Sequence, residues 1–135
     1  MVKAKKSRRR RKRVRNIGTY LSTKMGSEMT FRSLWEKSYF EYLDSNSEVS
    51  KFYSESLRVP YVANKKTGRL RNYIPDLLVE YIDGSRQIIE IKPTRFLTKL
   101  ANIKKFNAAR LYCADNGITF VIVTEKDLKS LGLLK

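Results

Sequence analysis

Residues 73–93, YIPDLLVEYIDGSRQIIEIKP, constrain the fold more than any other part of the sequence. Two runs rich in Ile, Leu and Val flank an Asp-Gly pair, which predicts strands over Tyr73–Ile82 and Arg86–Lys92 joined by a tight turn. Asp76 and Glu90 interrupt these apolar runs. A carboxylate with apolar neighbours is expensive to bury unless something pairs with it, so the two acids require a partner.

The type of turn decides where the two acids point. If residues 82–84 form a three-residue loop with Gly84 in the left-handed conformation, Asp76 falls opposite Glu90. Lys92 then lies on the same face of the sheet, because side chains alternate along a strand. A two-residue loop would instead send the two acids to opposite faces.

Two carboxylates that face each other across a strand pair repel unless a positive charge lies beside them. Mg²⁺ prefers oxygen ligands and commonly binds one or two carboxylates together with phosphate and water. Lys92 beside such an ion would orient or deprotonate a water, or neutralise charge on a phosphorus centre. The pattern is typical of metal-assisted phosphodiester hydrolysis. A structural alternative stays open, in which Asp76 pairs with Lys92 across the strands and Glu90 faces solvent.

Glu36 is a third candidate carboxylate. It lies near the start of a helix that Thr30 or Ser33 can cap and that runs to about Leu43. Its place on the apolar stripe of this helix points it inward or to the helix boundary. A capping box is an equally good interpretation, because in Ser33-x-x-Glu36 the glutamate would accept a bond from the Ser33 backbone N–H. If the helix packs near Asp76, Glu36 supplies a further carboxylate to the ion or its water.

The remaining sequence predicts one domain over residues 17–135. A polar connector and the first helix are followed by strands on either side of a turn at Gly68 and by the two strands above. A helix over residues 97–116 ends at Gly117, and a buried strand, ITFVIV, precedes a short helix capped by Thr124. Strands followed by a helical crossover into another strand make a mixed sheet with helices on both faces. We therefore predict an α/β fold with an αβββαβ core.

The charge of the chain points to a polyanionic partner. It has 29 Lys and Arg residues against 13 Asp and Glu residues, a formal net charge of +16. Ten of the basic residues and no acid lie in residues 1–15, so residues 1–16 are predicted to form a disordered basic arm that orders on nucleic acid. A solubilising tail or a localisation signal is the alternative. The predicted DNA-contacting residues are Arg8, Arg9, Arg10, Arg11, Lys65, Lys66, Arg69, Arg71, Lys99, Lys104 and Lys105.

Other features of the composition exclude several classes of protein. No stretch is long and apolar enough to span a bilayer, and the N-terminus lacks the apolar middle of a signal peptide, so we expect no membrane association and an intracellular location. The chain has no histidine and one cysteine, which excludes zinc fingers and Ser-His or Cys-His catalysis. Cys113 is expected to be a small core residue on a helix.

Glu36, Pro75-Asp76 and Glu90-Ile91-Lys92, in an αβββαβ order, resemble the PD-(D/E)xK nuclease superfamily. The longer segments FRSLWEKSYFEYLD, SESLRVPY, GRLRNYIPDLLV and IIEIKP look like the head-completion nucleases of tailed bacteriophages, and TnsA-type transposon-end nucleases are more distantly similar. The resemblance covers roughly residues 29–133. It implies that Glu36 is the helix carboxylate of the active site, that Asp76 and Glu90 bind the metal, and that Lys92 is the catalytic lysine.

The resemblance also implies Mg²⁺, or Mn²⁺, as cofactor and double-stranded DNA as substrate. It implies a phage protein that acts in head completion or DNA-end processing in the host cytoplasm, with head or portal proteins as candidate partners. Symmetric double-strand cutting would need a homodimer. A short connection after EIKP and the Arg-rich arm depart from the family pattern, which leaves open a free-standing homing or transposon-end endonuclease. Outside enzymes, the alternative is a non-catalytic basic DNA-binding or packaging protein.

Overall fold

The structure is a computed structural model, and it describes residues 16–135. These residues form eight strands, three α-helices and a 3₁₀ turn. In chain order the elements are β1 (Gly18–Ser22), β2 (Ser27–Phe31), α1 (Leu34–Ser45), β3 (Val49–Ser54), β4 (Val59–Asn64), β5 (Arg69–Tyr73), β6 (Leu77–Tyr81), β7 (Arg86–Ile91), the 3₁₀ turn (Thr94–Phe96), α2 (Leu100–Asn116), β8 (Thr119–Val123) and α3 (Glu125–Ser130).

A four-stranded mixed sheet in the order β3-β6-β7-β8 lies at the centre of the fold. β6 is antiparallel to both β3 and β7, whereas β7 and β8 are parallel and are joined by α2. In chain order this core is α1, the strands β3, β6 and β7, α2 and β8, which confirms the predicted α/β class and αβββαβ order. The pairs β1–β2 and β4–β5 form two separate antiparallel hairpins.

Helices cover both faces of the central sheet, as predicted. α2 packs on one face, where its Phe106 ring lies against Phe120 and its Cys113 shares a buried cluster with Ile88. Cys113 is therefore the buried helix residue that the sequence predicts. α1 and α3 pack on the opposite face, in a cluster whose buried members include Phe40, Leu43, Leu77, Ile89, Ile91, Val123 and Leu128.

The β6–β7 hairpin has the register predicted for a three-residue loop. Leu77 lies opposite Ile89, so Asp76, one residue before the strand, falls opposite Glu90. Gly84 closes the loop with a φ of 89°, the left-handed conformation that such a loop requires. The two-residue alternative, which would have separated the acids, is wrong.

The segment interpreted as a polar connector is instead the β1–β2 hairpin. The Asp44 carboxylate of α1 accepts hydrogen bonds from the Tyr20 and Ser22 hydroxyls and from the backbone N–H groups of Thr23 and Lys24. These bonds join residues 20 to 24 positions apart. A hairpin that depends on a distant carboxylate leaves little local pattern, which explains why the sequence prediction missed it.

The strand predicted over Tyr73–Ile82 is two strands in different sheets. Tyr73 ends β5 and lies opposite Val59, whereas β6 begins at Leu77. Pro75 lies between them, and because it has no N–H to donate it interrupts a continuous ladder. Because of this break, Tyr73 lies in the β4–β5 hairpin and not in the central sheet.

The helix ends are close to the predicted ones. α1 begins after Ser33, whose hydroxyl caps the first turn. α2 begins at Leu100 rather than Leu97, because Lys99 directly before it has an extended backbone. Gly117 ends α2 with a φ of 67° and Thr124 caps α3, both as predicted. None of the helices described combines the length and the apolar sequence needed to cross a membrane.

Candidate active site

The predicted site residues meet at the carboxyl end of β7. Asp76 directly precedes β6, Glu90 lies opposite it in β7, and Lys92 directly follows β7. Glu36 lies in the first turn of α1. Glu36 and Lys92 line one cleft of about 620 Å³, whose walls also include Trp35.

Glu90 is a buried carboxylate, with 5% of its surface exposed. Its Oε1 accepts a hydrogen bond from the Tyr73 hydroxyl at 2.6 Å and one from the Asp76 N–H at 3.3 Å. Its Oε2 lies 3.4 Å from Lys92 Nζ. The protein therefore fixes one oxygen of Glu90 and directs the other to the lysine.

At the end of the sheet the side chain of Asp76, and not a backbone carbonyl, accepts the hydrogen bond from the neighbouring strand. Its Oδ2 accepts a hydrogen bond from the Ile91 N–H at 2.7 Å, and its carbonyl accepts one from the Glu55 N–H at 3.0 Å. Burial raises the pKa of Asp76 well above its ordinary value, and the negative charges of Glu90 and Glu36 raise it further. Those contributions exceed the opposing effect of the hydrogen bond and of the nearby lysine. The positive charge near Asp76 therefore does not compensate for its burial beside two other carboxylates.

Glu36 does not form the predicted capping box. The Ser33 hydroxyl accepts from the Glu36 N–H at 3.2 Å, but Glu36 Oε1 accepts from the N–H of Arg32, at 3.0 Å, and not from that of Ser33. Burial raises the pKa of Glu36, the Arg32 hydrogen bond opposes this rise, and the charges of Glu55 and Glu90 add to it. Glu36 is thus held at the start of α1, within electrostatic range of the strand carboxylates.

These contacts contradict the structural alternative for the strand acids. Lys92 forms its ion pair with Glu90 rather than with Asp76. Glu90 is buried rather than exposed to solvent. The site is therefore a cluster of mutually repelling carboxylates with an ammonium beside one of them.

The site suits a divalent cation of the Mg²⁺ type. Its donors are carboxylate oxygens. Burial, and then the charges of Glu90 and Glu36, raise the pKa of Asp76 and so disfavour its charged form, which a bound cation would favour. Within residues 16–135, no three potential metal-binding side chains are arranged as a complete cage. Mg²⁺ commonly takes only one or two carboxylates and completes its shell with water and substrate phosphate. Two strand carboxylates fit that requirement.

Two residues of the site were not predicted from the sequence. Tyr73 bonds Glu90 across 17 positions of sequence. Glu55, at a left-handed φ of 48°, supports the Asp76 carbonyl and pairs with Arg32 Nε at 2.7 Å, across 23 positions. Both contacts join different elements, so no local pattern reveals them.

The predicted DNA-contacting residues differ in exposure. Lys104 and Lys105 are partly buried, and Lys104 Nζ donates to the Ala63 carbonyl at 3.0 Å, which joins α2 to β4. Arg8, Arg9, Arg10 and Arg11 lie outside the described residues, as does the predicted arm except for Asn16. The exposed members are Lys65, Lys66, Arg69, Arg71 and Lys99.

A basic groove lies between the β4–β5 hairpin and α2. It has a volume of about 370 Å³, and its walls include Arg69, Arg71 and Lys104 together with Tyr61 and Leu100. No acidic side chain lines the groove, and none of its three cations pairs with a carboxylate of the described residues. The positive charge of the groove is therefore uncompensated.

The chain is similar in sequence to known nucleases. Residues 46–125 match the family model described as TnsA-like endonuclease N terminal. The chain belongs to the TnsA-like endonuclease family. This TnsA-like chain is also 33% identical, over 127 residues, to the head completion nuclease of Enterobacteria phage T4, an alignment that covers 78% of the chain and 84% of that protein. The family resemblance inferred from the sequence motifs is confirmed.

Proposed function

We propose that this TnsA-like endonuclease hydrolyses phosphodiester bonds of double-stranded DNA with Mg²⁺, or Mn²⁺, as cofactor. The observation that carries the proposal is the opposed pair of Asp76 and Glu90, with Lys92 Nζ 3.4 Å from Glu90. An acid pair with an ammonium beside it can hold a divalent ion and stabilise charge on a phosphate, which suits metal-assisted phosphodiester hydrolysis.

Each side chain has a defined task in this reaction. Asp76 and Glu90 would hold the cation, and Glu36 would bind it or one of its waters. When bound, the ion supplies Lewis-acid stabilisation of the phosphate and lowers the pKa of a bound water. Lys92 orients the attacking water or stabilises the charge that develops on the phosphate oxygens. The ion pair with buried Glu90 restricts the position of the Lys92 ammonium.

Charge outside the catalytic cluster supports DNA as the substrate. The basic groove presents Arg69, Arg71 and Lys104 without acidic partners. The ten basic residues of segment 1–15 precede Asn16, which lines the same cleft as Glu36 and Lys92. Contacts to phosphate give affinity that depends on salt rather than on base sequence. We therefore propose that the enzyme has weak sequence preference.

The biological role proposed for the enzyme follows its relatives. The T4 protein is named a head completion nuclease, and we propose that this chain trims or cuts DNA in the same process, with phage head or portal proteins as partners. The TnsA-like family match favours a second candidate, a transposon-end or homing endonuclease with a defined site. In either role, symmetric cutting of both strands would require two copies of the chain.

Plasmid cleavage tests the proposed chemistry. Wild-type protein is expected to convert supercoiled plasmid to nicked or linear product with Mg²⁺ and to leave it unchanged in EDTA. Lys92→Ala is expected to lower the cleavage rate at least about 100-fold, the magnitude of losing one charge-stabilising group, and to retain salt-dependent DNA binding. Lys129→Ala removes an exposed lysine from α3 and serves as the charge-matched control.

The alternatives predict different outcomes. No cleavage by wild-type protein with any divalent metal would support the non-catalytic DNA-binding protein and overturn the enzyme. Mapping of cut positions on phage and host genomic DNA separates the two roles. Discrete positions would support the homing or transposon-end enzyme, and dispersed positions would support head completion.

A further inference from the structure

The Tyr73 hydroxyl makes a short, buried contact with the candidate metal ligand Glu90. It donates to Glu90 Oε1 at 2.6 Å, whereas the Asp76 N–H approaches the same oxygen at 3.3 Å. Tyr73 and Glu90 are each 5% exposed. Water therefore does not compete for this bond, and a hydroxyl bonded to a carboxylate at this distance belongs to the stronger class of protein hydrogen bonds.

The fold holds the Tyr73 ring from a sheet to which Glu90 does not belong. Tyr73 ends β5 in the β4–β5 hairpin, which packs on α2 beside the central sheet. Its ring meets Phe106 of α2 edge-on, with the ring centroids 6.3 Å apart, and shares a buried cluster with Val59 and Ala109. The ring cannot turn away from Glu90 without opening this cluster.

The two oxygens of Glu90 have different surroundings. Oε1 accepts both of the hydrogen bonds that the protein donates to this carboxylate. Among residues 16–135, no hydrogen bond reaches Oε2, whose close neighbour is Lys92 Nζ at 3.4 Å. A carboxylate fixed through one oxygen presents the other in a set direction, which is how outer-shell hydrogen bonds orient metal ligands.

We propose that Tyr73 is a positioning residue, which holds Glu90 Oε1 so that Oε2 is presented to the metal beside Lys92. This inference rests on the proposed function, because it concerns the same metal site. It also gives the β4–β5 hairpin two roles. The strand that carries Arg69 and Arg71 into the basic groove ends in the residue that orients the metal ligand.

Tyr73→Phe removes the hydroxyl and keeps the ring against Phe106. We expect this variant to bind Mn²⁺ about tenfold more weakly than wild type in isothermal titration calorimetry, since loss of an outer-shell partner typically weakens metal binding 10–100-fold. The Mn²⁺ concentration that gives half-maximal plasmid cleavage is expected to rise by a similar factor. Saturating Mn²⁺ is expected to restore the wild-type rate, which a defect in the chemistry itself would not allow.

Tyr81→Phe is the matched control. The Tyr81 hydroxyl donates to Gln87 Oε1 at the same distance of 2.6 Å, at the opposite end of the β6–β7 hairpin. This variant also loses a tyrosine hydroxyl bond to a residue of β7, Gln87 instead of Glu90, and is expected to keep wild-type Mn²⁺ affinity. All titrations are made at a temperature at which circular dichroism shows each variant to be folded.

The outcomes separate the role of Tyr73 from the proposed function. Wild-type Mn²⁺ affinity in Tyr73→Phe would overturn the positioning role and leave the metal dependence intact. Equal weakening in both variants would also overturn it, because general loosening of the sheet would then account for the loss. Wild-type protein that binds no Mn²⁺ would overturn the proposed function and the role of Tyr73 with it.

Discussion

Asp76→Asn is expected to abolish cleavage and, without metal, to stabilise the fold. Burial and the charges of Glu90 and Glu36 raise the pKa of Asp76, so the fold favours its protonated form. The stability that this group contributes is therefore complete below its ordinary pKa and is lost as the pH rises through the raised one. An asparagine amide is neutral at every pH and avoids this loss.

The size of the effect follows from two opposing contributions. Burying a polar group without compensation costs about 1–3 kcal/mol, and more when the group is charged. The amide oxygen still accepts from the Ile91 N–H, now without charge, which costs about 1 kcal/mol. Because Asp76 is buried beside two like charges, we expect the first contribution to exceed the second. We expect a net gain of at least about 1 kcal/mol at neutral pH, or roughly 4 °C in Tm.

Thermal unfolding in EDTA, followed by circular dichroism between pH 4 and pH 8, measures this gain. The Tm difference between Asp76→Asn and wild type is expected to grow as the pH rises. If Asp76 binds Mg²⁺ as proposed, adding the ion is expected to reduce this Tm difference, because the ion would stabilise the wild-type carboxylate and not the amide.

Asp83→Asn is the matched control at the other end of the same hairpin. Asp83 is exposed, and its carboxylate accepts bonds from the hydroxyl and the N–H of Ser85, which lower its pKa. Its replacement is expected to leave the Tm unchanged or lower it. If the Tm of Asp76→Asn in EDTA is equal to or below that of wild type, the negative charge of Asp76 does not destabilise the fold and the reasoning is refuted.

Three further predictions test other parts of the molecule. The double variant Arg69→Ala and Arg71→Ala is expected to weaken DNA binding for all sequences in fluorescence anisotropy. The slope of log affinity against log salt concentration is expected to fall by about 2, since each lost phosphate contact removes about 0.9. An unchanged slope would show that DNA does not bind in the basic groove. Asp44→Ala is expected to lower the Tm measured by calorimetry by the equivalent of about 1–3 kcal/mol at neutral pH. Hydrogen bonds outweigh burial and lower the pKa of Asp44. The Tm difference between variant and wild type is therefore expected above the ordinary pKa of an aspartate and to be lost as the pH falls through the lowered pKa of Asp44. A Tm difference that persists in acid would contradict this expectation. Glu36→Gln retains an acceptor for the Arg32 N–H and is expected to reduce plasmid cleavage without lowering the Tm. If this variant cleaves at the wild-type rate, Glu36 is not an active-site residue.

The sequence was informative where a short segment decides the geometry. The register that sets Asp76 opposite Glu90 depends on one turn and on the alternation of neighbouring residues, and Gly84 marks the turn. The same locality explains why the caps of α1 and α3 were predicted correctly. The family match covers the same motif residues of the β6–β7 hairpin, although the roles of these residues stay predictions.

Other features depend on contacts between distant parts of the chain and were missed. The β1–β2 hairpin is held by hydrogen bonds to Asp44, and Glu90 is held by a hydrogen bond from Tyr73. The prediction placed Tyr73 in the central sheet because the apolar pattern continues through Pro75, although proline cannot continue a ladder. Hydrogen bonds between elements have no periodic signature, so only the folded arrangement reveals them.

The β4–β5 hairpin also fixes a length. Arg69 and Tyr73 are the two ends of β5, and four residue steps of a strand span about 13 Å. In the proposed complex, a phosphate held at the Arg69 end therefore lies at a set distance from the ion at Glu90. The length of β5 itself, from the first Cα atom to the last, is about that of four base pairs along a duplex that rises 3.4 Å per base pair. The hairpin would thus set the distance between the bound phosphate and the cleavage site. The position of the cut would then depend on where the protein binds the DNA backbone and not on the base sequence.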